Sequence, residues 1–277
     1  MKNIGFIADL YQDELPGGGE SNDDNLINFL SKENDVHCFK SNSVTIEKLD
    51  PMDCVIVGNF VLLPEQIKYY LISKKKYIIY EHDHKYVSTR DPSEFKDFVI
   101  PVENIINKQF YEASHCTVVL SEVCKSILEK TLPNVNVKNI GCSLWSEEKF
   151  KLLEELTKTE KNNKTCIMLS DNPTKNYYTA VNYCSSNNIP FDVLETQDHE
   201  KFLRSLSPYD TLVFIPKVLE TFSRLCVEAK MLNLKVITKR NLIGFYSEDC
   251  SNLSGLELIQ EMKNRNVQAL QLFKDLV

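Results

Sequence analysis

Unbroken apolar runs separated by helix-like segments constrain the fold of this chain most strongly. Val55–Val57 and Tyr77–Tyr80 are two such runs, and Pro64–Ser73 between them has helical character with a proline near its start. Strands of a parallel sheet are buried on both faces, so their sequences are continuously apolar rather than alternating. Strands and helices in this order predict a doubly wound α/β domain.

The same alternation extends over the rest of the chain. Further strands are predicted at Asn3–Ala8, Val36–Phe39, Cys116–Leu120, Val135–Cys142, Thr165–Leu169, Pro190–Leu194, Thr211–Ile215 and Leu234–Ile237. Further helices are predicted at Glu20–Lys32, Val102–Ser114, Ser121–Lys130, Glu147–Leu156, Asn176–Asn187, His199–Leu206 and Ser254–Val277.

Thr157–Lys164 is polar and rich in lysine, and a series of strands and helices lies on either side of it. Such a stretch is typical of a linker, so we predict two α/β domains that meet at a cleft. The predicted parts are an N-terminal domain at residues 1–143, a linker region at 144–164, a C-terminal domain at 165–253 and a final helix at 254–277.

Composition excludes several classes of protein. The 277 residues are 43% hydrophobic and 26% charged, which indicates a globular chain rather than a disordered or membrane-embedded one. No apolar run approaches the ~18 residues of a membrane span, and the amino terminus reads as a first strand. The nine cysteines form no Cys-x-x-Cys pair, which is typical of reduced thiols in a cytoplasmic protein. A net charge of −7 weighs against a general nucleic-acid binder.

The most informative functional pattern contains Glu220 and Glu228, which follow the strand Thr211–Ile215 and precede the strand Leu234–Ile237. A helix that begins after a strand presents free N–H groups and partial positive charge, which suit a phosphate. If both glutamates lie on that helix, they are ~12 Å apart along its axis. This separation matches a ligand with hydroxyls at both ends and a diphosphate between them, such as a nucleotide-sugar.

This segment resembles the E-x7-E element of retaining GT-B glycosyltransferases, particularly glycosyltransferase family 4. Glu220, Phe222 and Glu228 match the family pattern, whereas Thr221 and Ser223 replace its two usual glycines. The resemblance implies a GT-B fold of two Rossmann-like domains facing a cleft, with a small C-terminal domain and a last helix that can cross back to the N-terminal one. It also implies a nucleotide-diphosphate sugar as donor, retention of anomeric configuration, and neither a metal nor another cofactor.

The resemblance also implies roles for individual residues. Glu220 would contact the donor sugar as a catalytic residue, and Glu228 would contact the ribose. Backbone N–H groups around Thr221, Phe222 and Ser223 would hold the phosphates.

Two further segments fit the donor site of the family. Lys175 matches a lysine that holds the donor diphosphate after the first C-terminal strand, but Ser170 stands where the family has an arginine. Lys239 or Arg240 are candidates for the missing charge. In the N-terminal half, Gly18 and Gly19 belong to a glycine loop after the first strand, where the backbone can approach a ligand closely. The alternative for this loop is a flexible surface turn.

A long polar loop, Glu81–Phe95, leaves the end of the Tyr77–Tyr80 strand, where open α/β sheets place their ligand sites. His82 and Asp83 are the foremost candidates for catalysis. The acceptor-side candidates are His84, Lys85 and Arg90. The alternatives are a metal site, for which no third ligand is evident, and a solvated loop with internal salt bridges.

We therefore interpret the chain as a cytoplasmic glycosyltransferase whose acceptor is a glycan or a small molecule. One alternative acceptor is a hydroxymethylated base in DNA, since Lys74–Lys76, Lys85 and Arg90 could form a basic face. The other alternative is a non-catalytic nucleotide-sugar-binding protein of the same fold. Ser170 and the two absent glycines support that second alternative.

Overall fold

The computed structural model describes residues 1–15, 17–195 and 198–277. The chain divides into two compact units. Unit 1 comprises residues 1–145 and 265–277, and unit 2 comprises residues 146–264. The long helix α10, Gly255–Leu276, contributes residues to both units.

Unit 1 contains a six-stranded parallel sheet with the strand order β2-β1-β3-β4-β5-β6. The strands are β1 Asn3–Ala8, β2 Asp35–Lys40, β3 Cys54–Val57, β4 Tyr77–Tyr80, β5 Cys116–Val119 and β6 Val137–Asn139. The helices are α1 Gly18–Leu30, α2 Ile46–Leu49, α3 Glu65–Lys74, α4 Lys108–Glu112 and α5 Glu122–Thr131, with short 3-10 turns at Pro92–Glu94, Lys96–Phe98 and Val102–Asn104.

The central strands of unit 1 have the burial that is expected in a parallel sheet. Every residue of β3, β4 and β5 is buried, which matches the unbroken apolar runs of the sequence. Tyr77 on β4 stacks on Phe110 of α4 with ring centroids 4.9 Å apart, and its hydroxyl donates to the Phe110 carbonyl. Because the strands run the same way, the loops after β1, β3, β4 and β5 leave from one edge of the sheet.

Unit 2 contains a four-stranded parallel sheet with the strand order β10-β9-β7-β8. The strands are β7 Thr165–Met168, β8 Phe191–Leu194, β9 Thr211–Val213 and β10 Lys235–Ile237. The helices are α6 Glu147–Leu156, α7 Tyr177–Ser186, α8 His199–Leu206 and α9 Arg224–Met231, with 3-10 turns at Pro173–Lys175, Arg240–Leu242, Gly244–Ser247 and Asp249–Asn252.

Two predicted helices are wrong in extent. Val102–Ser114 was predicted as one helix, but it contains a 3-10 turn and the short helix α4, separated at Asn107, whose φ is 54°. The helix of the two glutamates begins at Arg224 and not near Glu220, because Ser223 has a φ of 68° and cannot continue a right-handed helix. Glu220 therefore lies outside α9, and the axial separation expected for a shared helix does not apply.

The polar stretch at Thr157–Lys164 belongs to unit 2, and the side chain of Lys161 is one of its attachments there. The Lys161 ammonium donates to three backbone carbonyls, at 2.7 Å to Ser207, 2.9 Å to Tyr209 and 2.7 Å to Leu232. Ser207 and Leu232 are the C-caps of α8 and α9, where carbonyls lack partners within the helix. Burial lowers the pKa of Lys161. The lysine therefore joins the carboxyl ends of two helices.

All nine cysteines carry free thiols, and Cys38 is the exposed one. Within the described residues, no helix combines the length and the apolar character that crossing a bilayer requires.

Candidate functional site

Lys175 and Glu220 form an ion pair in unit 2. The Lys175 ammonium lies 2.8 Å and 3.0 Å from the two carboxylate oxygens of Glu220. Lys175 ends the 3-10 turn after β7, directly before α7, whereas Glu220 follows β9. The neighbouring strands β7 and β9 thus bring together two residues that are 45 positions apart.

The backbone around Glu220 is held in place by a short parallel bridge to Ile243. The Glu220 N–H donates to the Leu242 carbonyl, and the Gly244 N–H donates to the Glu220 carbonyl. Phe222 is buried and contacts the edge of the Phe245 ring, with ring centroids 5.7 Å apart. The segment that contains Thr221, Phe222 and Ser223 is therefore fixed on both sides before α9 begins.

Glu228 is buried in the second turn of α9 and contacts two cationic or potentially cationic side chains. One carboxylate oxygen lies 2.9 Å from Nε2 of His199, at the start of α8. The other lies 3.5 Å from Nη2 of Arg224, one helical turn earlier on α9. Only 3% of the Glu228 side chain is exposed, compared with 37% of the His199 side chain.

Ser223 occupies a position where the family pattern has glycine, and its backbone has a conformation that glycine favours, with a φ of 68°. The turn before α9 therefore adopts this conformation with a non-glycine residue. Of the two candidates for the missing arginine charge, Arg240 has its guanidinium 5.0 Å from the ring centroid of Tyr246.

The loop after β4 in unit 1 is anchored by a buried ion pair between Glu81 and Lys85, with N and O 2.9 Å apart. The Tyr111 hydroxyl also donates to the Glu81 carboxylate. Burial raises the pKa of Glu81, but Lys85 and Tyr111 outweigh that effect and lower it to about 2. For Lys85, burial lowers the pKa, but Asp83 and Glu81 outweigh it and raise the pKa above its ordinary value.

Asp83 joins this buried pair to the surface. Its carboxylate lies 2.5 Å from the Lys85 ammonium and also pairs with Arg90, whose side chain is 48% exposed. Arg90 itself has a φ of 57°. Asp83 and Arg90 are thus partly exposed, whereas Lys85 is buried and pairs with the Asp83 carboxylate from inside the fold.

His84 is buried within unit 1. Its Nδ1 lies 3.1 Å from the Tyr86 hydroxyl and its Nε2 lies 3.8 Å from Sγ of Cys124. Burial lowers the pKa of His84. The placement of His84 and Lys85 favours a supporting role over direct contact with an acceptor.

His82 pairs with a carboxylate that sequence reasoning missed. Its Nε2 lies 2.8 Å from Oδ1 of Asp23 on α1, and the two side chains are 9% and 3% exposed. Asp23 packs against Gly58, where an added Cβ would lie 2.5 Å from its Oδ2. The Tyr80 ring contacts the imidazole edge-on, with centroids 4.2 Å apart. Asp23 therefore fixes the orientation of the imidazole.

The predicted glycine loop lies next to this histidine. Gly18 and Gly19 belong to the first turn of α1, and a Cβ on Gly19 would lie 3.6 Å from the His82 side chain. Burial raises the pKa of Glu20, the next residue on α1.

Some site residues could have been suspected from sequence and others could not. Arg224 is four residues before Glu228, which is the spacing of neighbours on a helix surface. His199 and Asp23 are brought to their partners by tertiary contacts 29 and 59 positions apart, which carry no local signal. Among the described residues, no group of three or more His, Cys, Asp or Glu side chains is arranged to hold a metal ion.

No family model matches the chain, and no curated protein matches it. Solved structures do match. HepE from Anabaena, in complex with UDP and glucose, is 12% identical with a TM-score of 0.57, and the match covers 97% of this chain and 90% of HepE. An α-glucosyltransferase in complex with UDP and a DNA that contains an HMU base is 10% identical with a TM-score of 0.53, covering 98% of this chain and 90% of that one.

The third similar structure is the UDP-N-acetylglucosamine 2-epimerase from Rickettsia bellii. It is 10% identical with a TM-score of 0.53, and the match covers 99% of this chain and 96% of the epimerase. These similarities show that the chain has the GT-B fold, with two parallel sheets flanked by helices. The predicted α/β fold class is confirmed.

Proposed function

We propose that this chain is a glycosyltransferase that moves a sugar from a UDP-sugar to a hydroxyl group of an acceptor. The observation that carries the proposal is the pairing of Lys175 with Glu220 after neighbouring strands of unit 2. A lysine and a glutamate that the family resemblance assigns to one donor site are therefore adjacent in this chain. UDP is the proposed nucleotide because two of the similar structures contain it.

The donor would bind by exchanging ion pairs. The Lys175 ammonium would leave Glu220, whose side chain is 12% exposed in the pair, and would pair with the diphosphate instead. Released in this way, the Glu220 carboxylate would accept hydrogen bonds from hydroxyls of the donor sugar. The N–H groups at the start of α9 would contribute positive charge beside the phosphates. Stabilising the leaving diphosphate as its charge develops would be the main catalytic effect.

In unit 1, His82 and Asp83 would orient the acceptor. Asp23 holds the His82 imidazole, and Lys85 with Arg90 holds the Asp83 carboxylate. Side chains that are fixed in this way lose little freedom when they bind a hydroxyl group, which favours precise orientation. Retention of anomeric configuration follows from the family resemblance, and the anomeric proton coupling of the product in NMR spectra tests it.

A glycan or small molecule is the favoured acceptor, because two cations of the basic face expected for DNA are paired with carboxylates and a third is held by backbone carbonyls. Lys85 is enclosed by two carboxylates, and Arg90 pairs with Asp83. Lys75 donates to the backbone carbonyls of Asp50 and Met52. DNA remains the second candidate because one similar structure contains DNA with an HMU base. A polyanionic acceptor would give binding that weakens steeply with salt, which separates the two acceptors.

The test is turnover by the purified protein. UDP-glucose and other UDP-sugars are incubated with and without candidate acceptors, and free UDP and glycosylated product are quantified by mass spectrometry. The proposal expects sugar transfer that is lost in Glu220→Gln and kept in Glu200→Gln, a matched change at an exposed glutamate. Binding without turnover would indicate the non-catalytic alternative, and an isomerised sugar would indicate an epimerase.

A further inference from the structure

We infer that His199 is a nucleoside-recognition residue, and that Glu228 acts on the nucleoside mainly by orienting the His199 imidazole. The inference rests on the proposed function and adds a residue outside the E-x7-E pattern. It also names the part of the ligand that is recognised, a ribose hydroxyl of a ribonucleoside diphosphate.

The burial of this cluster supports the inference. Glu228 and Arg224 have side chains that are 3% and 11% exposed, whereas the His199 side chain is 37% exposed. A ligand that approaches the cluster from solvent therefore meets the imidazole before the carboxylate. One oxygen of the buried carboxylate lies beside His199 and the other beside Arg224.

The hydrogen bond to Glu228 also determines what the imidazole can offer. A carboxylate oxygen accepts, so Nε2 of His199 carries the hydrogen in this contact, which is 2.9 Å long. In the neutral imidazole the other nitrogen, Nδ1, is then an acceptor. In the imidazolium Nδ1 is a donor instead, so in either state a nitrogen held in a fixed direction selects a ligand with a hydrogen-bonding group at that point. A ribose hydroxyl, which can donate or accept, is such a group.

The backbone of His199 is fixed as well. It is the first residue of α8, and the N-cap Asp198 accepts hydrogen bonds from the N–H groups of Glu200 and Lys201. This capping arrangement defines the first helical turn. Both the main chain and the imidazole of His199 are therefore oriented before a ligand binds.

The test is discrimination between UDP and 2′-deoxy-UDP or 3′-deoxy-UDP, measured by calorimetric titration. The wild type is expected to bind UDP more tightly than at least one deoxy analogue. His199→Ala should weaken UDP binding roughly tenfold, leave the affinity for that analogue nearly unchanged, and so remove most of the discrimination. Glu228→Gln should reduce the same discrimination because the imidazole loses its charged partner. His115→Ala, at an exposed histidine of unit 1, is the matched control and should behave like the wild type.

Three results would overturn the inference. If His199→Ala binds UDP and both analogues like the wild type, His199 does not contact the nucleoside. If it weakens all three ligands equally, its role is structural, and a lowered melting temperature would show this independently. Both results leave the proposed function standing. If the wild type binds neither UDP nor a UDP-sugar, the proposed function itself fails.

Discussion

The charged side chains of unit 1 and those of unit 2 differ in their exposure to solvent. In unit 1, Glu81 and Lys85 have side chains that are each 2% exposed, and their charges are satisfied inside the fold. In unit 2, the Lys175 and Glu220 side chains are 32% and 12% exposed. A buried pair is costly to break, whereas a partly exposed pair can exchange partners with a ligand. We infer that the first group stabilises the fold and the second is available for binding.

The largest expected effect on stability comes from breaking the buried pair of Glu81 and Lys85. Lys85→Met leaves the buried Glu81 carboxylate without its cation, so the free energy of unfolding should fall by ~3–5 kcal/mol. Urea denaturation followed by circular dichroism measures it. Lys108→Met removes a lysine that is 62% exposed and should change the stability by less than ~1 kcal/mol. Equal effects of the two changes would contradict the comparison.

The pH dependence of stability should sharpen the same comparison. The pKa of Glu81 is lowered from 4.5 to about 2 in the folded protein. A lowered carboxyl pKa stabilises the folded state fully above the unfolded pKa, and this contribution is lost as the pH falls from about 4.5 towards about 2. The stability gap between the wild type and Glu81→Gln should therefore be widest above pH ~5 and narrow in acid. A gap that stays constant over this range would show that ionisation of Glu81 does not contribute.

The smallest expected effect on stability comes from breaking the partly exposed pair of Lys175 and Glu220. Lys175→Ala should lower the free energy of unfolding by at most ~1 kcal/mol, because the pair is partly solvated. The same change should weaken UDP-glucose binding by ~1.5–3 kcal/mol, because a charge-assisted phosphate contact is lost. Thermal denaturation and calorimetric titration measure the two effects. Lys164→Ala, which removes an exposed lysine paired with Asp192, should leave the affinity unchanged.

Sequence patterns predicted the fold because they reflect local burial. The continuous apolar runs correctly indicated parallel strands, since each central strand is enclosed on both faces. Local patterns failed where the backbone leaves the right-handed helical region at a non-glycine residue. Asn107 has a positive φ inside a segment that was predicted to be helical, and Ser223 has a positive φ where a helix shared by both glutamates would have to run.

The charged contacts were harder to predict than the residues that make them. Lys175 was singled out by the family resemblance, and Glu220 by that resemblance and its position after a strand, but no sequence signal indicated that they pair with each other. The same holds for His82 with Asp23, which the fold joins across 59 positions. Such pairs depend on the order of the strands in the sheet, and that order need not follow the sequence.

The central claim is that the two glutamates of unit 2 act on different parts of one donor. Calorimetric titration of Glu220→Gln and Glu228→Ala with UDP and UDP-glucose tests it most directly. Glu220→Gln should bind UDP as tightly as the wild type or slightly more tightly, because Lys175 loses a competing carboxylate, and it should bind UDP-glucose more weakly. Glu228→Ala should weaken the binding of both ligands. Wild-type affinity of both variants for both ligands would contradict the account.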